Sequence, residues 1–179
     1  MSIIGQWDTK ELDKFIDKLK KLKDEDIQKF NEDAVKEIAA RTLAKIIART
    51  PVGVYEDKTV EFTAYAGDKE KEKKVKFDAK ASKVGGTLRR GWTAGEDIDP
   101  YSFIMNNAEV IKKGRTYSII ISNIVDYASH VEYGHRIVNG TGFVDGKFMM
   151  TISEDEMQEE LPGILENKLN KFLEGYFGG

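Results

Sequence analysis

The chain has 179 residues, of which 40% are apolar and 33% charged, with a net charge of −3, a profile that suits a globular domain and excludes a disordered segment. It contains no cysteine, which excludes disulfides, thiolate metal sites and a cysteine nucleophile and fits a reducing compartment. The mild negative charge argues against a dominant nucleic-acid role, no apolar run approaches the ~20 residues of a membrane span, and we expect no signal peptide.

Two helices are predicted for the first 50 residues. Apolar residues of the first recur at three- and four-residue steps, as on one face of an amphipathic helix: Leu12, Phe15, Ile16, Leu19 and Leu22. The second carries an apolar face from Ile27 to Ile47. It should end at Thr50 because a residue that precedes a proline is disfavoured in the helical region. The short polar link between them indicates an αα-hairpin or one long bent helix.

The following segment predicts a charged β-hairpin. Residues 59–65 and 74–78 alternate between apolar and polar side chains, as strands do. The tip between them, residues 67–73, is either a solvated loop or a salt-sensitive contact with a partner or nucleic acid. We call residues 53–84, which contain this hairpin, the arm.

Paired glycines at 85 and 86 predict a sharp turn, because glycine adopts backbone angles that other residues avoid. The turn leads to Arg89, Arg90 and Trp92. A phosphate loop would need a Gly-Lys-Ser/Thr ending, which is missing here. One arginine is expected to meet a carboxylate on this or a neighbouring chain. Alternatively, both arginines contact nucleic acid while Trp92 stacks on a base.

Further strands are predicted at residues 101–105 and 116–124, with a hairpin turn at Lys112–Arg115. Ile119, Ile120 and Ile121 place apolar side chains on both faces of residues 117–125. This pattern predicts a central strand that is covered on both sides, by helices or by another subunit.

A short helix is predicted directly after this strand. Tyr127, Ala128 and Val131 recur at helical spacing, and Gly134 stands where such a helix would end. The two tyrosines, the glutamate, the arginine and the two histidines of the segment are better suited to contacts with a partner than to a core.

The two histidines of this segment do not predict a reaction centre. His130 and His135 are five residues apart with a glycine between them, whereas a zinc-binding helix places its histidines four apart. Spacing also supplies no serine–histidine–carboxylate triad. We therefore predict no catalytic residue, no metal and no cofactor.

The end of the chain predicts a glycine-rich loop and a helix. The loop covers residues 139–146, and residues 148–152 form either a short strand or the lead-in to the helix. Ser153–Glu156 resembles a capping box. Pro162 interrupts the apolar stripe that follows, so we expect a kink or a fresh helix there.

The order of helices, strands and a final helix predicts an α+β fold. N-terminal helices and a C-terminal helix would lie on a mostly antiparallel β-sheet, with the arm as an inserted β-hairpin. No repeat or long linker divides the chain. We therefore expect one domain over residues 1–179, with residues 53–84 as an insertion.

Three motifs give the chain a family resemblance: Thr50–Val52, Gly86–Trp92 and Tyr127–Gly134. In this order, and with Phe143–Met149 before the final helix, the chain resembles the minor tail components of long-tailed bacteriophages. These are the tail-completion, or head–tail joining, proteins, and the resemblance spans residues 25–175. In that family the first two motifs are nearly contiguous, whereas the arm separates them here. The departure suggests a terminator or collar variant, from a contractile tail or a tail-like bacteriocin.

The resemblance implies a non-enzymatic assembly protein of the virion or of a tail-like particle, assembled in the bacterial cytoplasm. Its copies would form a ring, expected to be a hexamer, at the head-proximal end of the tail tube. Its other partners would be tube, sheath or connector proteins, with no membrane. The alternative is a nucleic-acid-binding module that uses residues 69–76 and the two arginines. Candidate interface residues are Arg89, Arg90, Trp92, Tyr127, Val131, Glu132, Tyr133, His135 and Arg136.

Overall fold

A computed structural model describes residues 10–54, 57–65, 72–79, 85–137 and 140–177 of the chain. The elements in chain order are α1 (Lys10–Leu19), α2 (Asp24–Arg49), β1 (Lys58–Tyr65), β2 (Glu72–Ala79), α3 (Thr87–Arg90), a 3-10 turn (Gly91–Thr93), α4 (Pro100–Asn107), β3 (Ile111–Lys113), β4 (Thr116–Ser118), α5 (Ala128–Tyr133), β5 (Gly134–Arg136), β6 (Phe143–Asp145) and α6 (Met149–Phe177). In these described ranges, no helix is both long and apolar enough to cross a lipid bilayer.

The predicted α+β class, with N-terminal and C-terminal helices and antiparallel strands between them, is confirmed. The described strands form three separate two-stranded sheets, β1–β2, β3–β4 and β5–β6. The predicted hairpin of the arm is present, and its register pairs Lys58 with Ala79 and Tyr65 with Glu72. Residues 67–71 of its predicted tip lie outside the described residues, and the last two tip residues, 72 and 73, belong to β2.

The chain divides into two compact units. Unit 1 contains Met1–Lys45, Asp99–Ile121 and Met150–Gly179, and unit 2 contains Ile46–Ile98 and Ser122–Met149. The single domain over residues 1–179 with an insertion at 53–84 stays a prediction.

Ion pairs join α2 and α6 within unit 1. The Lys45 ammonium lies 3.0 Å from Glu156 and 2.9 Å from Glu160, and Lys168 lies 2.8 Å from Glu37. Hydrogen bonds to Glu160 and then Glu156 raise the pKa of Lys45 above its usual value. Buried apolar residues lie along the same helices, so the ion pairs border a core that supplies most of the stabilisation.

Contacts near the chain end connect α1 and α2 to the end of α6, again within unit 1. The rings of Phe30 and Phe172 are 4.9 Å apart. The Tyr176 hydroxyl donates to the Lys21 carbonyl at 2.9 Å, and the Lys18 ammonium donates to the Phe177 carbonyl at 2.9 Å. The last helix is therefore anchored at its C-terminal end.

The strand predicted at residues 101–105 is wrong, because this segment is the helix α4. The Asp99 carboxylate accepts hydrogen bonds from the backbone N–H groups of Tyr101 at 3.1 Å and Ser102 at 2.8 Å. Pro100 occupies the first helical turn. Both are helix-start signals, and here they outweigh the strand preference of the apolar residues that follow.

The covered central strand predicted at residues 117–125 is also wrong. Strand β4 ends at Ser118, and the following residues form no described strand. From Tyr117 to Val125 the residues alternate between half-buried and exposed, which is the period of an extended chain. Ile120 is 75% exposed and Ile124 63% exposed. The exposed positions are Ser118, Ile120, Ser122 and Ile124, so two isoleucines of the predicted buried strand are open to solvent.

Helix α6 begins before its predicted start. It starts at Met149, so the strand alternative for residues 148–152 is wrong and residues 149–152 belong to the helix itself. Ser153 is fully buried inside the helix, and the capping box predicted there is wrong. The helix continues through Pro162 without a fresh start. Strand β6 occupies residues 143–145 of the predicted glycine-rich loop.

Candidate functional site

The first two motifs of the sequence meet at Thr50 in unit 2. Thr50 follows the last turn of α2, and its side chain donates a hydrogen bond to the Ile46 carbonyl at 2.7 Å. The same hydroxyl accepts from the indole N–H of Trp92 at 2.9 Å, and the Arg89 guanidinium donates to the Thr50 carbonyl at 2.9 Å. Thr50 and Trp92 are both buried. This polar junction fixes the turn after α2 against α3 and the 3-10 turn.

Glycine is required where these two motifs touch. A Cβ on Gly85 would collide with the Gly53 carbonyl oxygen, so only glycine allows this close approach of two backbones. Gly86 has a φ of +92° and caps the start of α3. The sharp turn predicted at the paired glycines is confirmed.

The third motif completes a groove with the first two. The groove has a volume of about 550 Å³. We call it the motif groove. The side chains and backbone that line it come from all three motif segments and include no ionisable group other than the tyrosine phenol: Pro51, Val52, Gly53, Gly85, Gly86, Thr87, Leu88, Tyr127 and Val131. A concave, mostly apolar surface of this kind can receive apolar side chains of a partner.

Helix α5 leads from the motif groove into the β5–β6 ribbon. Gly134 ends the helix with a φ of +81°, as predicted from the sequence. Backbone N–H groups of Lys147 and Phe148 donate to the carbonyls of Val131 at 2.8 Å and Glu132 at 3.0 Å. These bonds hold the returning chain against the end of α5.

The ribbon presents large side chains to solvent. Its register pairs His135 with Val144 and Arg136 with Phe143. Tyr133 is 64% exposed and Phe143 57% exposed. We call the exposed residues of this region the ribbon surface: Tyr133, His135, Arg136, Ile137, Phe143 and Val144. Clusters of exposed aromatic, apolar and arginine side chains are typical of protein interfaces.

The structure sorts the nine candidate interface residues by exposure. Exposed are Tyr127, Tyr133, His135 and Arg136; half-buried are Arg89, Arg90 and Val131; buried are Trp92 and Glu132. The exposed four and Val131 lie at the motif groove or on the ribbon surface, whereas the buried two support the site from inside. The role of all nine residues in contacts with a partner stays a prediction.

The two arginines contact backbone carbonyls. Arg89 donates to Thr50, as described above, and Arg90 donates to the Gly85 carbonyl at 3.4 Å. No carboxylate partner of either arginine occurs among the described ion pairs. The Arg89 Nε atom is buried without a hydrogen-bond partner. Trp92 is 6% exposed, so its ring is not available for stacking on a base, which weakens the nucleic-acid alternative.

Sequence reasoning did not select Phe143 and Val144 as contact residues. Both are strand-forming residues inside a glycine-rich segment. This contrast in strand preference is the feature of the sequence that could have indicated a strand within the loop. Their exposure depends on how β6 pairs with β5, which the sequence does not specify.

The two histidines lie close together on the surface. Their rings are 5.7 Å apart and edge to face. In the described part of the chain, no group of three histidine, cysteine, aspartate or glutamate side chains is placed to hold a metal ion.

A mostly apolar groove beside an exposed ribbon is a surface suited to contacts with other macromolecules. The chain belongs to the family described as "Bacteriophage HK97-gp10, putative tail-component", whose family model matches residues 13–134 and so includes all three motifs. The protein is thus a structural component of a bacteriophage tail and part of the virion. The resemblance to phage tail proteins is confirmed. Comparisons with curated proteins and with solved structures give no match.

Proposed function

We propose that this tail component forms a closed ring of six copies at the head-proximal end of the tail tube. The ring stops growth of the tube and presents a surface to the adjoining connector, sheath or collar. Membership of the tail-component family, together with the ribbon surface beside the motif groove, is the observation that supports this proposal. The arm favours a terminator or collar variant within that class.

Ring closure requires two different surfaces on each copy. A heterologous contact joins one patch to a different patch on the next subunit, and the chain of contacts closes when the rotation between copies completes a circle. The ribbon surface combines exposed aromatic and aliphatic side chains with His135 and Arg136, and the motif groove is concave and mostly apolar. In the proposed ring, the ribbon surface of one copy lies in the motif groove of the next.

Exposed aromatic residues are the expected centre of this contact. Tyr133 is 64% exposed and Tyr127 48% exposed, and tyrosine and arginine dominate the binding energy of many interfaces. Tyr127 lines the motif groove, whereas Tyr133 belongs to the ribbon surface. Each tyrosine therefore represents one side of the proposed contact.

The oligomeric state in solution tests the ring. Native mass spectrometry of the wild-type protein is expected to show a hexamer, and negative-stain images of mixtures with purified tail tubes should show it at one tube end. Tyr133→Asp should yield monomers because it places a charge in the apolar contact. Tyr101→Asp is the matched control, since Tyr101 is 54% exposed on α4, outside the proposed contact.

Three results would count against the proposal in different ways. A wild-type protein that stays monomeric at high concentration and ignores tube ends overturns the ring. A hexamer that persists in the Tyr133→Asp variant moves the contact elsewhere. Binding to nucleic acid that falls steeply with salt would instead support the alternative function.

A further inference from the structure

We propose that the turn between β3 and β4 of one copy docks on the outer face of α6 of a second copy, through opposite charges. Both surfaces belong to unit 1. The inference rests on the proposed ring and adds a second contact between neighbouring copies, distinct from the one between ribbon surface and motif groove.

The outer face of α6 carries three exposed carboxylates. Residues 152, 155, 159, 162 and 166 are three or four positions apart, so they lie on one face of the helix. We call these exposed residues the acidic stripe: Ile152, Asp155, Glu159, Pro162 and Glu166. Ser153 and Met157 are buried, whereas Glu156 and Glu160 pair with Lys45 of α2. The acidic stripe therefore points away from the core of unit 1.

The helix itself does not account for the charges of the acidic stripe. Because α6 begins at Met149, Asp155 and Glu159 lie beyond its first turn, to which the favourable effect of the helix dipole on carboxylates is limited. They are four residues apart, and like charges at this spacing repel each other. Neither of them occurs in an ion pair among the described residues. Cations from outside the helix would offset this repulsion.

The turn between β3 and β4 carries the opposite charge. Residues 111–118 include the cations Lys112, Lys113 and Arg115 and no carboxylate. The nearest carboxylates along the chain are Glu109 and Asp126. We call residues 112–115 the basic turn.

Two cations of the basic turn are available to a partner. Lys112 donates to the Gln28 side chain of α2 at 2.7 Å and lies over the ring of Tyr117, its cross-strand partner. Neighbouring residues of a strand point to opposite faces, so Lys113 points away from α2. Lys113 and Arg115 are both exposed, and neither occurs in an ion pair among the described residues.

The two charged surfaces lie too far apart to meet within one copy. The bond from Lys112 fixes the basic turn beside Gln28, near the start of α2. Lys45, near the other end of α2, pairs with Glu156 and Glu160 beside the acidic stripe. Gln28 and Lys45 are about 26 Å apart along the helix axis. This distance exceeds the reach of a side chain, so each surface remains open to another molecule.

Charge complementarity selects a second copy as the occupant. Opposite charges at the two ends of one body favour head-to-tail contacts, in which every copy uses its basic turn and its acidic stripe once. The Arg115 guanidinium is suited to bind a carboxylate of the stripe through two hydrogen bonds. Ile152 is 42% exposed and offers an apolar surface for the aliphatic stems of Lys113 and Arg115.

Charge reversal on each side tests this contact. The turn variant is Lys113→Glu/Arg115→Glu, and the stripe variant is Asp155→Lys/Glu159→Lys. Each alone is expected to weaken self-association about tenfold in sedimentation velocity at low salt, with a smaller effect at high salt. An equimolar mixture should assemble again, because every contact between unlike copies is then complementary.

A matched control separates this contact from the effect of net charge. Glu96→Lys/Asp97→Lys makes the same charge change as the stripe variant at exposed carboxylates of unit 2, and it should assemble like the wild type. Equal weakening in this control, or a mixture that fails to assemble, overturns the inference. A turn variant that assembles normally but loses binding to duplex DNA at low salt assigns the basic turn to phosphate contacts and also overturns it.

Disulfide trapping provides an independent measurement, because the chain has no cysteine of its own. Arg115→Cys protein mixed with Glu159→Cys protein should form a mixed dimer on oxidation. A control mixture of Arg115→Cys with Glu96→Cys should not. Unchanged assembly of both charge variants with no mixed disulfide overturns docking of the basic turn while the ring stands. A wild-type monomer overturns both proposals.

Discussion

Replacing Thr50 by valine tests the polar junction beneath the candidate site. Valine has nearly the shape of threonine but lacks the hydroxyl that accepts the Trp92 indole N–H at 2.9 Å. Both residues are buried, so water does not replace the lost acceptor. The Ile46 carbonyl still accepts the backbone N–H of residue 50 at 2.9 Å. The substitution therefore leaves one buried donor, the indole N–H of Trp92, without an acceptor.

The expected loss follows from that donor. A buried hydrogen-bonding group left without a partner costs about 1–3 kcal/mol, and in a chain of this length each kcal/mol lowers the melting temperature by about 2–4 °C. Thr50→Ser retains the hydroxyl and loses one methyl group, worth about 0.8 kcal/mol. The valine variant should therefore be the less stable of the two, although it is the more apolar.

Urea denaturation followed by far-ultraviolet circular dichroism, which does not depend on Trp92, measures these differences. A double-mutant cycle with Trp92→Phe isolates the hydrogen bond, because phenylalanine removes the donor. The Thr50→Val change should cost less in the Trp92→Phe background than in the wild type. A valine variant within 0.5 kcal/mol of the wild type, or strictly additive losses, would refute the reasoning.

Three further changes have expected outcomes. Gly85→Ala should cost about 1–3 kcal/mol, because the new Cβ meets the Gly53 carbonyl and one backbone must move; thermal denaturation measures the loss. Pro162→Ala should stabilise α6, since Pro162 stands inside the helix and alanine restores an N–H and removes up to about 3 kcal/mol of helix penalty; thermal denaturation should show a higher midpoint. Hydrogen bonds from Lys168 and then Arg41 lower the pKa of Glu37 below 4.5. The ionised Glu37 carboxylate therefore stabilises the folded state above pH 4.5, and this stabilisation is lost as the pH falls through the lowered pKa. Glu37→Gln should therefore show a smaller loss of stability between pH 6 and pH 3, measured by urea midpoints.

Matched controls make these outcomes specific. Gly163→Ala lies beside Pro162 with open space around it, so it should stabilise α6 by only about 0.5–1 kcal/mol. Glu174→Gln alters an exposed carboxylate of α6 and should leave the acid dependence unchanged. A Gly85→Ala variant as stable as the wild type would show that the two backbones separate freely. If the Glu37→Gln variant lost as much stability as the wild type between pH 6 and pH 3, the ion pairs of Glu37 would not contribute to the acid dependence.

Several elements could be predicted because their signals are local. The end of α2 at Arg49 followed from the Thr50-Pro51 pair, and the arm hairpin followed from alternation on both of its strands. The stop of α5 at Gly134 followed from one glycine. The reason why residues 101–105 form a helix is local as well, because Asp99 and Pro100 are a helix-start signal that outweighs the strand preference of the residues after them.

The candidate site was predictable only in part. The sequence indicated that Tyr127 and Tyr133 belong to a contact segment, and both are exposed. It did not indicate that Trp92 would be buried or that Thr50 would be its hydrogen-bond acceptor. These facts depend on residues 42 positions apart in the chain, and no local pattern specifies such a pair.

By itself, the sequence determined the α+β class, the positions of most helices and the membership of the phage tail family, because periodicity, glycines and short motifs act over a few residues. Only the tertiary structure decided which apolar surfaces are covered. The apolar run at residues 117–125 has the composition of a covered strand, yet Ile120 and Ile124 face solvent. Burial depends on whether a distant segment lies over a face, and composition along one segment carries no information about that segment's neighbours in space.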